Sequence, residues 1–198
     1  MTLPKDYLGA KMGMWLFLFT EILLFGGLFV LYSVTMQRYP VEFHTASQML
    51  DVTMGTLNTV VLITSSLFAA LAVIALQRGD IRRSKIFILL TILLAGVFLA
   101  DKYMEWGAKI HHGIYPNSPH LTDWPEGQQA FFALYYTMTG LHGIHVVLGM
   151  GLLGWVYWLI SKGKITPEQH VTLENAGLYW HLVDLIWIYL FPLFYLIT

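Results

Sequence analysis

Residues 52–76 read VTMGTLNTVVLITSSLFAALAVIAL, from Val52 to Leu76 without one charged side chain. A bilayer's hydrocarbon core is about 30 Å thick, and a helix crosses it with about 20 mostly apolar residues. The stretch is long enough to do so. Its apolar residues are continuous rather than alternating, which disfavours a strand of a β-barrel. Working outward from it, four further runs qualify: about 12–36, 84–107, 129–160 and 171–197. The fourth run in chain order (129–160) is longer than a span needs, so it tilts or begins outside the bilayer. The fold class expected is therefore all-α: a polytopic bundle of five transmembrane helices in a single domain, 1–198.

Composition agrees. Hydrophobic residues make up 57% of the 198 residues and charged residues 12%, with a mean hydropathy of +0.61. Soluble domains carry about 25% charge. The surplus of apolar residues excludes an ordinary soluble globule and intrinsic disorder. A net charge of −1 offers nucleic acid no electrostatic attraction. The absence of cysteine excludes disulfides, iron–sulfur clusters, thiolate metal sites and a cysteine nucleophile. The first apolar run is too long for the core of a cleaved signal peptide.

Loop Lys and Arg set the expected orientation, because cytoplasmic loops carry the excess. Lys5, Lys11, Arg78, Arg82, Arg83, Lys85, Lys162 and Lys164 fall on one side, and only Arg38 and Lys109 on the other. The N-terminus is expected inside and the C-terminus outside. The connection 108–128, with Pro116, Pro119 and Pro125, is expected to be an ordered extramembrane loop.

Charged groups at membrane depth cost about 2.5–3.5 kcal/mol each on insertion scales, so each needs a reason. Glu21 lies near the middle of the first span, with only Phe17, Leu18, Leu24 and Phe25 one turn away. Its partner must come from another helix or another subunit, or it is protonated. Asp101, Lys102 and Glu105 have the spacing of ion pairs anchoring the end of the third span. His142 and His145 share the fourth span; His181 and Asp184 share the fifth, with Glu174 two turns earlier. These histidines have two readings: ligands to haem or a metal, with Asp184 behind one of them, or an interhelical hydrogen-bond network. His111, His112 and His120 are a weaker metal candidate in the loop. His170 and Glu174 can hold each other or a lipid headgroup. The small and weakly polar residues of the second span, Asn58, Ser65 and Ser66 among them, and Gly149, Gly151 and Gly154 in the fourth, are expected to permit close helix approach and hydrogen bonds across the interface. No nucleotide loop or Ser–His–Asp pattern is present.

The order of these segments resembles subunit III of the haem–copper oxidases, cytochrome c oxidase above all, in a short five-helix bacterial form. The likeness rests on Lys11-Met12-Gly13-Met14 followed by Glu21, on Leu57-Asn58-Thr59, on Glu105-Trp106, and on Gly140-Leu141-His142-Gly143-Ile144-His145-Val146. Its most specific part is Trp180-His181-Leu182-Val183-Asp184-Leu185-Ile186-Trp187. The family's seven-helix form has two further helices at its start that this chain lacks, which puts that form's V-shaped lipid cleft in doubt. Glu21, His170 and Glu174 favour the cytochrome c branch over quinol oxidases. A nitric-oxide-reductase-associated homologue is a further alternative.

The resemblance implies an accessory subunit with no catalytic residue, metal or redox cofactor of its own. Haem and copper would sit in partner subunits, and oxygen reduction and proton pumping in subunit I. Subunit I would be the main partner, with subunit II and small subunits beside it, in a bacterial inner membrane. Phospholipid would be bound, with Lys11 and His170 as headgroup contacts. Glu21, His142, His145, Glu174, His181 and Asp184 would form a buried structural network. Two other classes compete: a membrane electron carrier with haem between His142 and His181, and a small proton or ion transporter built on Glu21.

Overall fold

The computed structural model describes residues 7–197; Lys5, one of the orientation residues, lies outside them. The elements are α1 (Tyr7–Arg38), α2 (Pro40–Ser47), α3 (Val52–Gln77), α4 (Ile81–His111), α5 (Pro119–Thr122), α6 (Glu126–Ser161) and α7 (Val171–Tyr195). Five of them (α1, α3, α4, α6, α7) are long and apolar enough to cross a membrane, and no strand occurs among the described residues. The expected all-α class and its five spans are present.

Local chemistry sets the ends. Asp51 accepts from the backbone N–H groups of Thr53 (2.8 Å) and Met54 (3.2 Å), which would otherwise lack partners at the start of α3. Asp80 does the same for Arg83 at α4 (3.0 Å). Between α3 and α4 stands Gly79, at φ +81, where a side chain would be strained. The N–H of Asp80 closes back on the Ala75 carbonyl at 2.9 Å. That compact reversal folds α4 antiparallel onto α3. Three elements extend well past the expected spans. α1 begins at Tyr7, α4 runs from Ile81 to His111, α6 begins at Glu126 directly after Pro125, and α1 ends at Arg38. A helix continues into water as long as its caps allow, whereas apolarity marks only the part in lipid. The fifth span is shorter than expected, ending at Tyr195.

α3, α4, α6 and α7 form a four-helix frame in which each packs on its neighbours, and α1 lies in the groove between α6 and α7. α7 is the most buried span and α1 the least. Trp180, Trp187 and Phe194 of α7 are fully enclosed. At the end where α1 finishes, Tyr32, Phe43, Phe131 and Phe194 meet edge to face, with centroids 5.2–5.5 Å apart. The Tyr32 hydroxyl donates to the Leu193 carbonyl, one of the last in α7. This cluster seats α2, an element absent from the hydropathy reading.

The small residues divide. A Cβ on Gly149 would meet the Trp180 ring at 2.8 Å, and one on Gly55 the Phe191 ring at 2.8 Å. Gly151 and Gly154 have nothing within 4 Å. The expectation of close approach holds for Gly149 and fails for the other two, which turn away from the bundle.

Candidate functional site: polar groups at membrane depth

The bundle has two ends. The basic end gathers the start of α1, the α3–α4 turn and the α6–α7 connection. The opposite end gathers α2, α5 and the finish of α7.

At the basic end Glu174 is the hub. Its carboxylate takes Lys11 at 2.5 Å, His170 Nε2 at 2.9 Å, the Gln77 amide at 3.1 Å and the Tyr7 hydroxyl at 3.2 Å. His170 Nδ1 faces the Pro167 carbonyl at 2.6 Å. Glu174 is therefore tied to the surface cations rather than to the histidines deeper in. Lys11 and His170, expected to reach for headgroups, both bond Glu174. Their side chains remain 20% and 22% exposed.

Deeper, Glu21 finds its partner across the bundle: its Oε2 lies 2.8 Å from His145 Nε2. The other ring nitrogen, Nδ1, is 2.8 Å from the Leu141 carbonyl. A carbonyl only accepts, so Nδ1 carries a hydrogen. The remaining bond then needs one proton shared between Nε2 and the carboxyl, and the pair is electrically neutral wherever that proton sits. Phe25 lies edge-on to the imidazole at 5.3 Å, and the Tyr179 hydroxyl donates to the His145 carbonyl at 3.1 Å. One contact thus joins α1, α6 and α7.

His142 does not join it. Three residues along a helix turn a side chain by about 60°, so His142 points away from α1. It lies fully buried between Phe98 (5.6 Å) and Trp187 (5.3 Å), and neither nitrogen has a partner among the described residues. His181 belongs to another contact, its Nδ1 2.6 Å from the Ser66 hydroxyl of α3. Asp184 lies near the same hydroxyl, with one buried oxygen unpartnered. The expected single network is thus several separate contacts, because consecutive polar residues on α6 and α7 face different neighbours.

The largest polar knot is at the opposite end. Lys102 and Glu105 are buried, 2.6 Å apart. Lys102 reaches the Tyr195 hydroxyl at 2.5 Å and lies over the Trp187 ring at 4.7 Å. Glu105 also accepts from Tyr135 (2.9 Å) and Tyr195 (2.8 Å), and Lys109 stands 3.8 Å away. Asp101 takes no part and accepts from Asn58 of α3 at 2.5 Å. The expected helix-end ion pair is an interior junction of α4, α6 and α7. Asn58 and Ser66, weakly polar residues of the second span, bond across helices as expected; Tyr135, Tyr195 and Gln77 were missed as site residues. Each looks like an ordinary residue of an apolar helix until its neighbour is known.

His111, His112 and His120 are exposed, and His120 stacks edge-on against Trp124 at 5.3 Å. No group of three metal-ligating side chains is assembled among the described residues.

Comparison with known proteins sets this arrangement in a family. The family model for cytochrome c oxidase subunit III matches residues 5–198. A cytochrome c oxidase subunit 3 of Thermostichus vulcanus is 31% identical over 191 residues, covering 94% of this chain and 87% of the relative. A quinol oxidase subunit 3 of Bacillus spizizenii is 28% identical, covering 93% of this chain and 85% of its own length. A heme-copper oxidase subunit I+III of Aeropyrum pernix is 27% identical; the match covers 98% of this chain and 23% of that longer protein.

Proposed function

The chain belongs to the cytochrome c oxidase subunit III family, and on that premise we propose that it is an accessory, non-redox subunit of a respiratory haem–copper oxidase in a bacterial inner membrane. It is an integral membrane protein by its five apolar helices and its relatives. The observation that carries the reading is the family match over residues 5–198 on a bundle whose polar groups mostly bond one another. In this reading haem and copper reside in the partner subunits. This chain packs beside subunit I, stabilises it, holds phospholipid and supports proton uptake during turnover. The relative whose name joins subunits I and III in one protein supports subunit I as the main partner; subunit II and small subunits complete the assembly. Lys11 and His170 keep an exposed edge for lipid phosphate at the basic end.

The electron donor divides the relatives, which include both cytochrome c and quinol oxidases. Glu21, His170 and Glu174 favour cytochrome c. Extraction in mild detergent through a tag at Met1, followed by a redox difference spectrum and mass spectrometry, tests the assembly. Haem-bearing subunit I and copper-bearing subunit II are expected to come with the chain, which is colourless once stripped of them. A chain that comes out alone and coloured would overturn the proposal. Oxidation of reduced cytochrome c rather than quinol by the same material decides the donor.

A further inference from the structure

A groove of about 370 Å³ opens between α3 and α7 at the basic end. Lys11 and Glu174 stand at its mouth, Ala70, Gly177 and Leu178 along its walls, and His181 at its deep end. At ~1.5 Å per residue, His181 lies about 15 Å along α7 from Val171. We infer that this groove is a water-filled crevice that puts the His181–Ser66–Asp184 group, at membrane depth, in proton exchange with the aqueous phase at the basic end. The crevice is formed by this chain's residues alone, whatever complex the chain belongs to.

Three observations carry it. First, the mouth is polar, lined by Lys11 and Glu174 2.5 Å apart. Second, the deep end is polar. The His181 ring borders the groove and bonds Ser66 through Nδ1 at 2.6 Å. Third, a buried Asp184 oxygen one turn on has no partner among the described residues. Buried polar atoms without protein partners are typically satisfied by water, and Asp184 connects to the groove through the Ser66 hydroxyl it shares with His181 rather than by lining it. Ala70 and Gly177 leave width beside the ring, while Val73, Ile74 and Leu178 make the rest of the wall apolar.

The charged and titratable groups around the crevice are few. α1 brings Tyr7 and Lys11, α7 brings Glu174 and Asp184, and His170 precedes α7. α3 contributes only the neutral Ser66 and Gln77. From α6, His142 is turned to Trp187 and His145 to Glu21, so neither borders the groove. A proton entering past Lys11 and Glu174 therefore meets His181 as the first basic group at depth.

The chain has no cysteine, so introduced thiols report water access. Ala70→Cys lines the groove, whereas Leu67→Cys, less than a turn away, faces outward. Both are made in the assembled protein in vesicles of either orientation, and labelling by a cationic, membrane-impermeant methanethiosulfonate is read from the mass of this chain. Ala70→Cys is expected to react about a hundredfold faster than Leu67→Cys, because an ionised reagent is excluded from hydrocarbon. The reaction should come only from the side that bears Lys11. Equal, slow rates, with labelling by a lipid-soluble maleimide alone, would mean a lipid-filled groove and overturn the inference. Should Ala70→Cys not assemble, Leu178→Cys on the opposite wall carries the test. Proton exchange is read separately, from carbethoxylation of His181 by diethylpyrocarbonate. The rate is expected to rise with pH as a titrating imidazole does. A His181 left unmodified while exposed His112 reacts fully would refute proton exchange.

Discussion

Glu21 and His145 illustrate how a charge-bearing residue is accommodated in lipid. The Leu141 carbonyl fixes which imidazole nitrogen carries a hydrogen, so the other faces Glu21 with one proton between them. Glu21→Gln keeps a donor for that nitrogen, and thermal stability of the purified assembly is expected to change by less than about 1 kcal/mol. Glu21→Ala leaves the nitrogen unpartnered and is expected to cost about 1–3 kcal/mol. Adding His145→Ala to Glu21→Ala should then cost less than the sum of the two single changes, since both remove one contact. Additive losses in that cycle would show that the pair does not act as a unit. Lys102 and Glu105 differ because their junction is enclosed and charged. Glu105→Ala strands a buried ammonium and is expected to cost about 3–5 kcal/mol, enough to lower the yield of assembled protein. Lys102→Met should be milder, because Glu105 keeps Tyr135, Tyr195 and Lys109. Equal yields from the two variants would contradict the assignment of the junction.

At the scale of elements, what could be read in the sequence and what could not have separate physical causes. Span number and position followed from apolar length alone, since lipid imposes it: α3 starts at Val52 as expected, its cap Asp51 directly before the run. α2 escaped because it is short and lies outside the spans, held by Phe43 against distant aromatics rather than by its own pattern. Polar residues at depth could be identified one by one, but not their partners. Glu21 and His145 are 124 residues apart, and Lys102 and Tyr195 are 93 apart. Three glycines on α6 looked alike, and only packing separates them. A methyl on Gly149 would overlap the enclosed Trp180 ring. Gly149→Ala should therefore lose about 1–3 kcal/mol through overpacking, outweighing its gain in helix propensity. Gly151→Ala, with open space around it, should keep that gain and leave the melting temperature unchanged or raised. Melting of the purified assembly checks both, and a tolerated Gly149→Ala would mean that α6 and α7 are less closely apposed than described.

For the whole molecule, five spans are expected to put the two termini on opposite sides of the membrane, and the loop cations predict which is which. Arg78, Arg82, Arg83 and Lys85 crowd the α3–α4 turn, and Lys162 and Lys164 the α6–α7 connection, against Arg38 and Lys109 at the other end. Each cation carried across the bilayer meets the penalty that produces the positive-inside bias. A protease-sensitive tag at the N-terminus of the protein in spheroplasts is therefore expected to be protected, and one at the C-terminus to be cleaved. Replacing Arg78, Arg82, Arg83 and Lys85 by Gln removes most of the asymmetry around the α3–α4 hairpin. A mixed population is then expected, with both tags partly cleaved. If the N-terminal tag is cleaved in the unaltered chain, the basic end faces outward, and the crevice leading to His181 would draw its protons from the opposite compartment. The same two tags thus fix the direction in which the buried polar groups of α7 communicate with water.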